Sequence, residues 1–336
     1  MENWKRIGCV GLTTVAVAFA GCNTVETESA ETEKPQVVAT TSLLCDLTEK
    51  IAQDTVALNC LIEPGENPHS YEPTPSDRAA IEQAQLILYG GYQLEAKMIA
   101  LIESTSSTIE KIAIYEQAVP NPLLGEHHEH HDEEEHHHHE EHNHEEEEVN
   151  TEEELVSDPH VWHDAENGIK IVQSIAENLE NIAPENAQLY QQNAAELTER
   201  LTQIDTWISD QIATIPIQQR KLVTTHDAFG YYAQAYGLEV EPIQGISSET
   251  KPSAARLKEI VGTVKEAKVP TVFAEVTTNP SVLETISREA NVNISAQPLY
   301  AAGPGSEGSE VETYEEMLIA NTRAIVEGLG GEYSPL

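Results

Sequence analysis

Basic residues are scarce. The 336-residue chain carries 18 lysines and arginines against 58 aspartates and glutamates, a formal net charge of −40. Twelve of the acids fall in one window, 126–148, yet outside it acids still outnumber bases 46 to 18. A surface of that sign repels phosphate backbones and anionic headgroups, which excludes nucleic acid as a partner and makes an anionic membrane surface a poor one. A cation is the better-matched ligand. Long apolar runs are missing too: the one near the N-terminus, Val10 to Ala20, is about 11 residues and too short to span a bilayer as a mature helix. Cysteines number four, and only four histidines lie outside the acidic window: His69, His160, His163 and His226. Hydrophobic residues make up 39%, enough for a packed core, and the length suits two domains.

What is present begins with an export signal. MENWKRIGCVGLTTVAVAFAGC has Lys5 and Arg6, then the apolar run, then small residues and Cys22. The ending Phe19-Ala20-Gly21-Cys22 resembles a bacterial lipobox, whose cysteine is lipidated and becomes the mature N-terminus. Phe19 stands where leucine is usual, and a plain cleaved signal is the alternative. Residues 1–21 are therefore read as signal peptide and the polar stretch 22–35 as a tether. Cys45 and Cys60 are left as a pair in an oxidising compartment. A disulfide between them is permitted, the alternative being two small buried thiols.

Strand and helix signals then alternate. QVVATTSL (36–43) reads as a buried strand running into a helix led by Asp46, VALNCLI (56–62) as a second strand, Pro75 to Ala84 as a helix, and LILYGGY (86–92) and KIAIYEQ (111–117) as further strands. Ile169, Val172, Ile175, Leu179 and Ile182 recur at helical spacing until Pro184 interrupts. Leu197, Leu201, Ile204, Ile208 and Ile212 form a second amphipathic series. The alternation returns with KLVTTHDAF, LEVEPIQGI, TVFAEVTT and NISAQPLY, and a last helix carries Val311 to Leu329. This predicts an α/β fold in two halves of four strands each, with parallel sheets flanked by helices. The bounds expected are 36–165, a linking helix over about 166–190, and 191–336. Ligands of such sheets bind at the carboxyl ends of strands and in clefts between lobes.

Three of the four histidines sit at such places: His69 in EPGENPHSYEPTPSD after the second strand, His160 in SDPHVWHD before a long helix, and His226 in TTHDAF at a strand end. Neutral imidazoles suit Zn²⁺, whereas Mg²⁺ or Ca²⁺ would call for carboxylates and carbonyls. A lone histidine is more often a surface or hydrogen-bonded residue. Three in matching contexts make one shared metal site a candidate beside that ordinary reading.

NPHSYEPTPSD and DPHVWHDAENG resemble the signatures of the metal-binding solute proteins of ABC importers, the zinc- and manganese-type cluster A-I or ZnuA-like group. The resemblance extends through ATTSLLCDLTEKIA, HDAFGYYAQAYGLE and TVFAEVTTNPSVLETISREA, from about Val37 to the C-terminus. It implies two Rossmann-like lobes joined by a rigid helix, with one metal between them and His69, His160 and His226 as its ligands. Manganese-type members carry Glu at the third position, so His226 implies zinc. The family's fourth ligand is an Asp after the last strand, but here the stretch is PLYAAGPGSEG and Ala301 or Ala302 occupies its place. Glu275 is the nearest carboxylate by position and is expected behind a ligand rather than on the metal. His163, three residues past His160, is expected to be exposed or in a similar supporting place.

The window EHHEHHDEEEHHHHEEHNHEEEE holds the other ten histidines: His127, His128, His130, His131, His136, His137, His138, His139, His142 and His144. With no apolar residue, it reads as a solvated loop, and its composition is also a metal signal. Zinc-type relatives often carry such an insert between the first two ligands. It is expected to collect or sense zinc weakly, because ordering a flexible loop opposes binding. The function expected is high-affinity zinc capture outside the inner membrane, in the periplasm or anchored at the membrane's outer face, by a monomer that feeds a cognate ABC permease and is not an enzyme. Two other readings are a manganese or iron carrier or adhesin of the same fold, and a three-histidine zinc hydrolase with Glu275 as base.

Overall fold

In the computed structural model the described residues are 34–105, 108–127, 154–247 and 252–336. The signal peptide, Cys22, the tether up to Glu33 and the histidines from His128 to His144 lie outside them. Valines and leucines buried on both faces make the centre of the first sheet. Strand β1 (Gln36–Ala39) is flanked by β2 (Ala57–Cys60) and β3 (Leu86–Tyr89), with β4 (Glu110–Ala113) outermost, in the order β2-β1-β3-β4 and all parallel. Continuous burial of Val37, Val38, Leu86, Ile87 and Leu88 is what a parallel sheet covered on both faces requires.

The covering helices are α1 (Ser42–Ala52), α2 (Pro75–Gln83), α3 (Ala96–Glu103) and the short α4 (Ile114–Ala118). Helix α1 starts four residues earlier than Asp46. Thr41 is extended and its hydroxyl accepts the Leu44 N–H at 3.3 Å, so the strand stops at Ala39 and the threonine caps the helix. Helix α2 opens on a capping box between Thr74 and Asp77, with Pro75 in the first turn. Of KIAIYEQ only the first part is strand; the rest is α4. Cys45 of α1 and Cys60 at the end of β2 form a disulfide, Cα–Cα 5.7 Å.

An antiparallel pair, β5 (Leu124–His127) and β6 (Glu154–Ser157), brackets the histidine-rich window. Helices α5 (Ala165–Ile182) and α6 (Ala187–Ala213) follow. The interruption expected at Pro184 is there: proline has no N–H to continue the ladder and a tight turn occupies 184–186, so the approximate linking span 166–190 takes in most of α5 and the start of α6. Helix α6 has 27 residues, about 40 Å at 1.5 Å per residue, and it braces the whole fold. Asn193 reaches the Ile51 carbonyl of α1 at 2.9 Å, and the other end packs against the C-terminal helix.

The second half repeats the first. Strand β7 (Lys221–Thr224) leads to α7 (Gly230–Tyr236) and β8 (Glu239–Pro242). Helix α8 (Ala254–Ala267) precedes β9 (Thr271–Val272), and α9 (Ser281–Ala290) precedes β10 (Asn293–Ile294) and α10 (Tyr314–Gly328). The parallel pairs β7–β8 and β9–β10 are joined by a Thr224–Phe273 bridge, with Phe273 N–H donating to the Val223 carbonyl at 2.9 Å. The order is therefore β8-β7-β9-β10, the same as in the first sheet. One apolar core runs through both halves, from Val37 and Leu44 through Trp162 and Tyr190 to Tyr314 and Leu329. Among the described residues no helix is long and apolar enough to cross a membrane.

The Cys45–Cys60 bridge closes a loop with a sequence separation of 15. Replacing both cysteines with alanine is expected to lower stability by about 3 kcal/mol, read as an earlier urea midpoint with a somewhat steeper slope, because the unfolded chain without the bridge is more expanded.

Candidate metal centre

Each of the three histidines follows from a local device. His69 lies in the loop between β2 and α2, where the Asn67 side chain accepts its backbone N–H at 3.0 Å. His160 follows Pro159 in the turn before α5. Asp158 Oδ1 accepts both the backbone N–H of His160, at 2.9 Å, and its ring Nδ1–H, at 2.8 Å. His226 follows β7. Glu275, just past β9, accepts the backbone N–H groups of Thr225 and His226 on Oε1, at 3.0 and 3.1 Å, and the His226 Nδ1–H on Oε2. Both carboxylates are buried. Holding Nδ1–H on a carboxylate fixes the tautomer and turns the Nε2 lone pair the other way.

The rings converge. Nε2 of His69 and of His160 are 3.1 Å apart, and centroid separations are 5.2 Å for His69–His160, 5.9 Å for His69–His226 and 5.2 Å for His160–His226. One ring nitrogen from each lies within 4.8 Å of the others. Nitrogens about 2.0–2.1 Å from a shared tetrahedral ion would stand roughly 3.3 Å apart, so small ring movements would bring the set to coordination distance. His160 and His226 are buried and His69 is partly open. Beside His69 a cavity of about 520 Å³ leads outward, lined by Tyr92, Glu116, Val156, Pro159 and Ile246. One wall is a turn whose residues Gly91, Tyr92 and Gln93 all have left-handed backbones, φ 92°, 51° and 57°. Glu116 accepts the Tyr92 N–H at 2.8 Å and holds that turn in place.

Electrostatics keep two of the rings neutral. Burial, then proximity to the other imidazoles, lowers His69 and His160 well below the ordinary histidine range. For His226 burial also pulls downward, but the Glu275 charge and hydrogen bond outweigh it and the net direction is up. Asp158 is pushed up to about 7 by burial, against the pull of the His160 N–H.

His163 is neither exposed nor in the cluster. It is fully buried, stacks on Phe229 at 4.4 Å, and its Nε2 lies 3.0 Å from the Ala301 carbonyl. It therefore supports the stretch where the family Asp is expected. Ala301 is buried there and presents only a methyl group. Asp158 escaped the sequence reading, although an Asp two residues before a histidine is a recognisable local hydrogen-bonding pattern. His127 ends β5, at the base of the histidine-rich window.

The model of the family described as zinc-uptake complex component A, periplasmic, matches residues 37–328. The chain belongs to that family. It is a substrate-binding component of an ABC-type metal importer, working outside the inner membrane, and not an enzyme. The manganese-binding lipoprotein MntA of Halalkalibacterium halodurans is 31% identical over 94% of this chain and 95% of its own length. The manganese transporter substrate-binding lipoprotein PsaA of Streptococcus mitis is 29% identical, covering 97% and 99%. Among solved structures, the periplasmic zinc-binding protein TroA from Treponema pallidum superposes with a TM-score of 0.76 at 29% identity, covering 88% of this chain and 99% of that one. The expected α/β fold, the importer family and the non-enzymatic role are borne out.

His163 gives the fold a pH signature. Burial holds it at about 3, against about 6.5 in an unfolded chain. The unfolded chain therefore takes up the proton first, and stability falls as pH drops below about 6.5. Between pH 6.5 and 4.5 the metal-free protein should lose about 2–3 kcal/mol through this group. His163→Gln, which retains a donor for Ala301 but does not titrate, should lose correspondingly less. Urea denaturation at the two pH values checks this; equal losses would rule it out.

Proposed function

We propose that this protein captures Zn²⁺ through His69, His160 and His226 and hands it to a cognate ABC permease in the inner membrane, as a monomer tethered through a lipid on Cys22. The observation that carries the metal assignment is the chemistry of the donor set. Among the described residues the cluster is three imidazoles without a carboxylate. All-nitrogen sites suit a borderline-soft ion such as Zn²⁺, whereas Mn²⁺ favours carboxylate and water oxygens. With alanines at 301 and 302, the fourth position falls to water. Asp158 and Glu275 act behind the ligands, raising imidazole basicity and fixing ring orientation. The window 126–148 serves as an accessory zinc collector or sensor, and its many imidazoles beside carboxylates raise the local cation concentration.

Manganese is the second reading, favoured by the names of the relatives MntA and PsaA. Equilibrium competition does not separate the two readings, because a nitrogen site holds zinc more tightly than manganese whichever ion it serves; uptake by cells does. Removing the protein should cut accumulation of zinc and leave that of manganese unchanged, and the reverse would favour the manganese reading.

His69→Ala, His160→Ala and His226→Ala should each weaken zinc binding by orders of magnitude in calorimetry, while deletion of 126–148 removes weak sites and keeps one tight site. Tight binding unchanged in all three alanine variants, or a tight site that vanishes with the window, would overturn this assignment. Because coordinating imidazoles must be unprotonated, affinity should fall with acid, His226 regaining its proton first.

A further inference from the structure

The turn that carries His160 is held in two ways. Most of its restraints are local: Asp158 on the His160 ring and N–H, the Pro159 carbonyl accepting the Val161 N–H at 2.9 Å, and Asn167 reaching the Val161 carbonyl at 3.2 Å. The Trp162 carbonyl is different. It accepts the Tyr314 hydroxyl at 2.5 Å, from a residue 152 positions away in the first turn of α10. The Trp162 ring packs against His160 at 5.4 Å and Tyr115 at 5.1 Å, so displacement of Trp162 shifts a surface on which a metal-site ring rests.

Tyr314 is itself held at both ends. Its backbone N–H donates to Asp46 Oδ2 at 3.0 Å, and the same oxygen accepts Lys50 Nζ at 3.1 Å; Lys50 also pairs with Glu315. Its ring crosses α5 at Gly168, where an added Cβ would lie 2.3 Å from the phenolic oxygen. Tyr314 thus touches α1, α5 and the His160 turn from the last helix of the second half, and it is fully buried. A buried hydroxyl aimed at one carbonyl between two histidines, with a glycine opposite to admit it, is costly to leave unpaired.

We infer that Tyr314 is a positioning residue for the metal centre: its hydroxyl locks the 160–163 turn so that His160 is presented ready for coordination, and it links the seating of α10 on α1 to the grip on the ion. Movement of α10 relative to α1 would release the Trp162 carbonyl and loosen His160, which gives a docking permease a handle on release. The inference rests on His160 being a metal ligand.

Two variants remove the lock by different means. Tyr314→Phe deletes the hydroxyl, and Gly168→Ala crowds it away from Trp162. Tyr190→Phe is the control: it deletes another buried hydroxyl, one that bonds Thr55 at 2.8 Å away from the cluster. Zinc dissociation into excess chelator, followed by stopped flow, should accelerate at least fivefold in Tyr314→Phe and Gly168→Ala and stay within twofold of wild type in Tyr190→Phe. In the metal-free ¹⁵N-labelled protein, the His160 ring should show one Nδ1-protonated tautomer in wild type and Tyr190→Phe, but exchange broadening in the two lock variants. Wild-type rates and a sharp His160 pattern in Tyr314→Phe would overturn the inference, as would equal acceleration by Tyr190→Phe. Absence of tight zinc binding in wild type would instead overturn the proposed function, and the ring spectra would still decide whether Tyr314 positions His160.

Discussion

Two buried carboxylate–imidazole bonds organise this molecule's function. Asp158 on His160 and Glu275 on His226 each occupy Nδ1 and leave Nε2 free to face the same point. Each carboxylate also takes backbone N–H groups of the segment it serves, so ring and chain are fixed together. Burying such acids is expensive unless these bonds are made. The surrounding strand ends and turns are arranged to make them. With Nδ1–H of His160 on Asp158, its Nε2 is the acceptor in the 3.1 Å contact with His69 Nε2, a contact that an entering cation would replace.

The architecture explains how donors distant in sequence are held at this spacing. Two sheets with the same strand order carry His69 and His226 in loops after β2 and β7, while the turn before α5 carries His160 between them. Helix α6 and the continuous core tie both sheets together, and α10 adds contacts to α1 and α5. The site is consequently built before an ion arrives. A preformed arrangement lowers the ordering cost of binding an ion.

Much of this was legible from local pattern. Buried β-branched runs marked the strands, helical periodicity marked α5 and α6, and Pro184 marked their break. The errors were local competitions that pattern does not resolve. Thr41 rather than Asp46 leads α1, because its hydroxyl accepts the Leu44 N–H, while the Asp46 carboxylate accepts the Tyr314 N–H in the first turn of α10, which Thr313 caps. For His163 spacing leaves an exposed place and a supporting one both open; the turn before α5 rotates it inward onto Phe229 and the Ala301 carbonyl, which is the second of these. Asp158 carried a local signal that was there to be read. Tyr314 carried none, since its partner is set by helix packing.

By itself the sequence determined the sign of the surface, the alternation of strand and helix, the places where histidines follow strands, and the nitrogen-rich donor chemistry. These depend on residue identity and on periodicities of two to four positions. Only the tertiary structure decided that His69 and His160, 91 positions apart, stand with nitrogens at 3.1 Å. It alone decided which carboxylate backs which ring, and that a tyrosine in the last helix reaches the Trp162 carbonyl. Such pairings arise from how sheets and helices pack, and packing depends on the shape of the whole core rather than on any short stretch of chain.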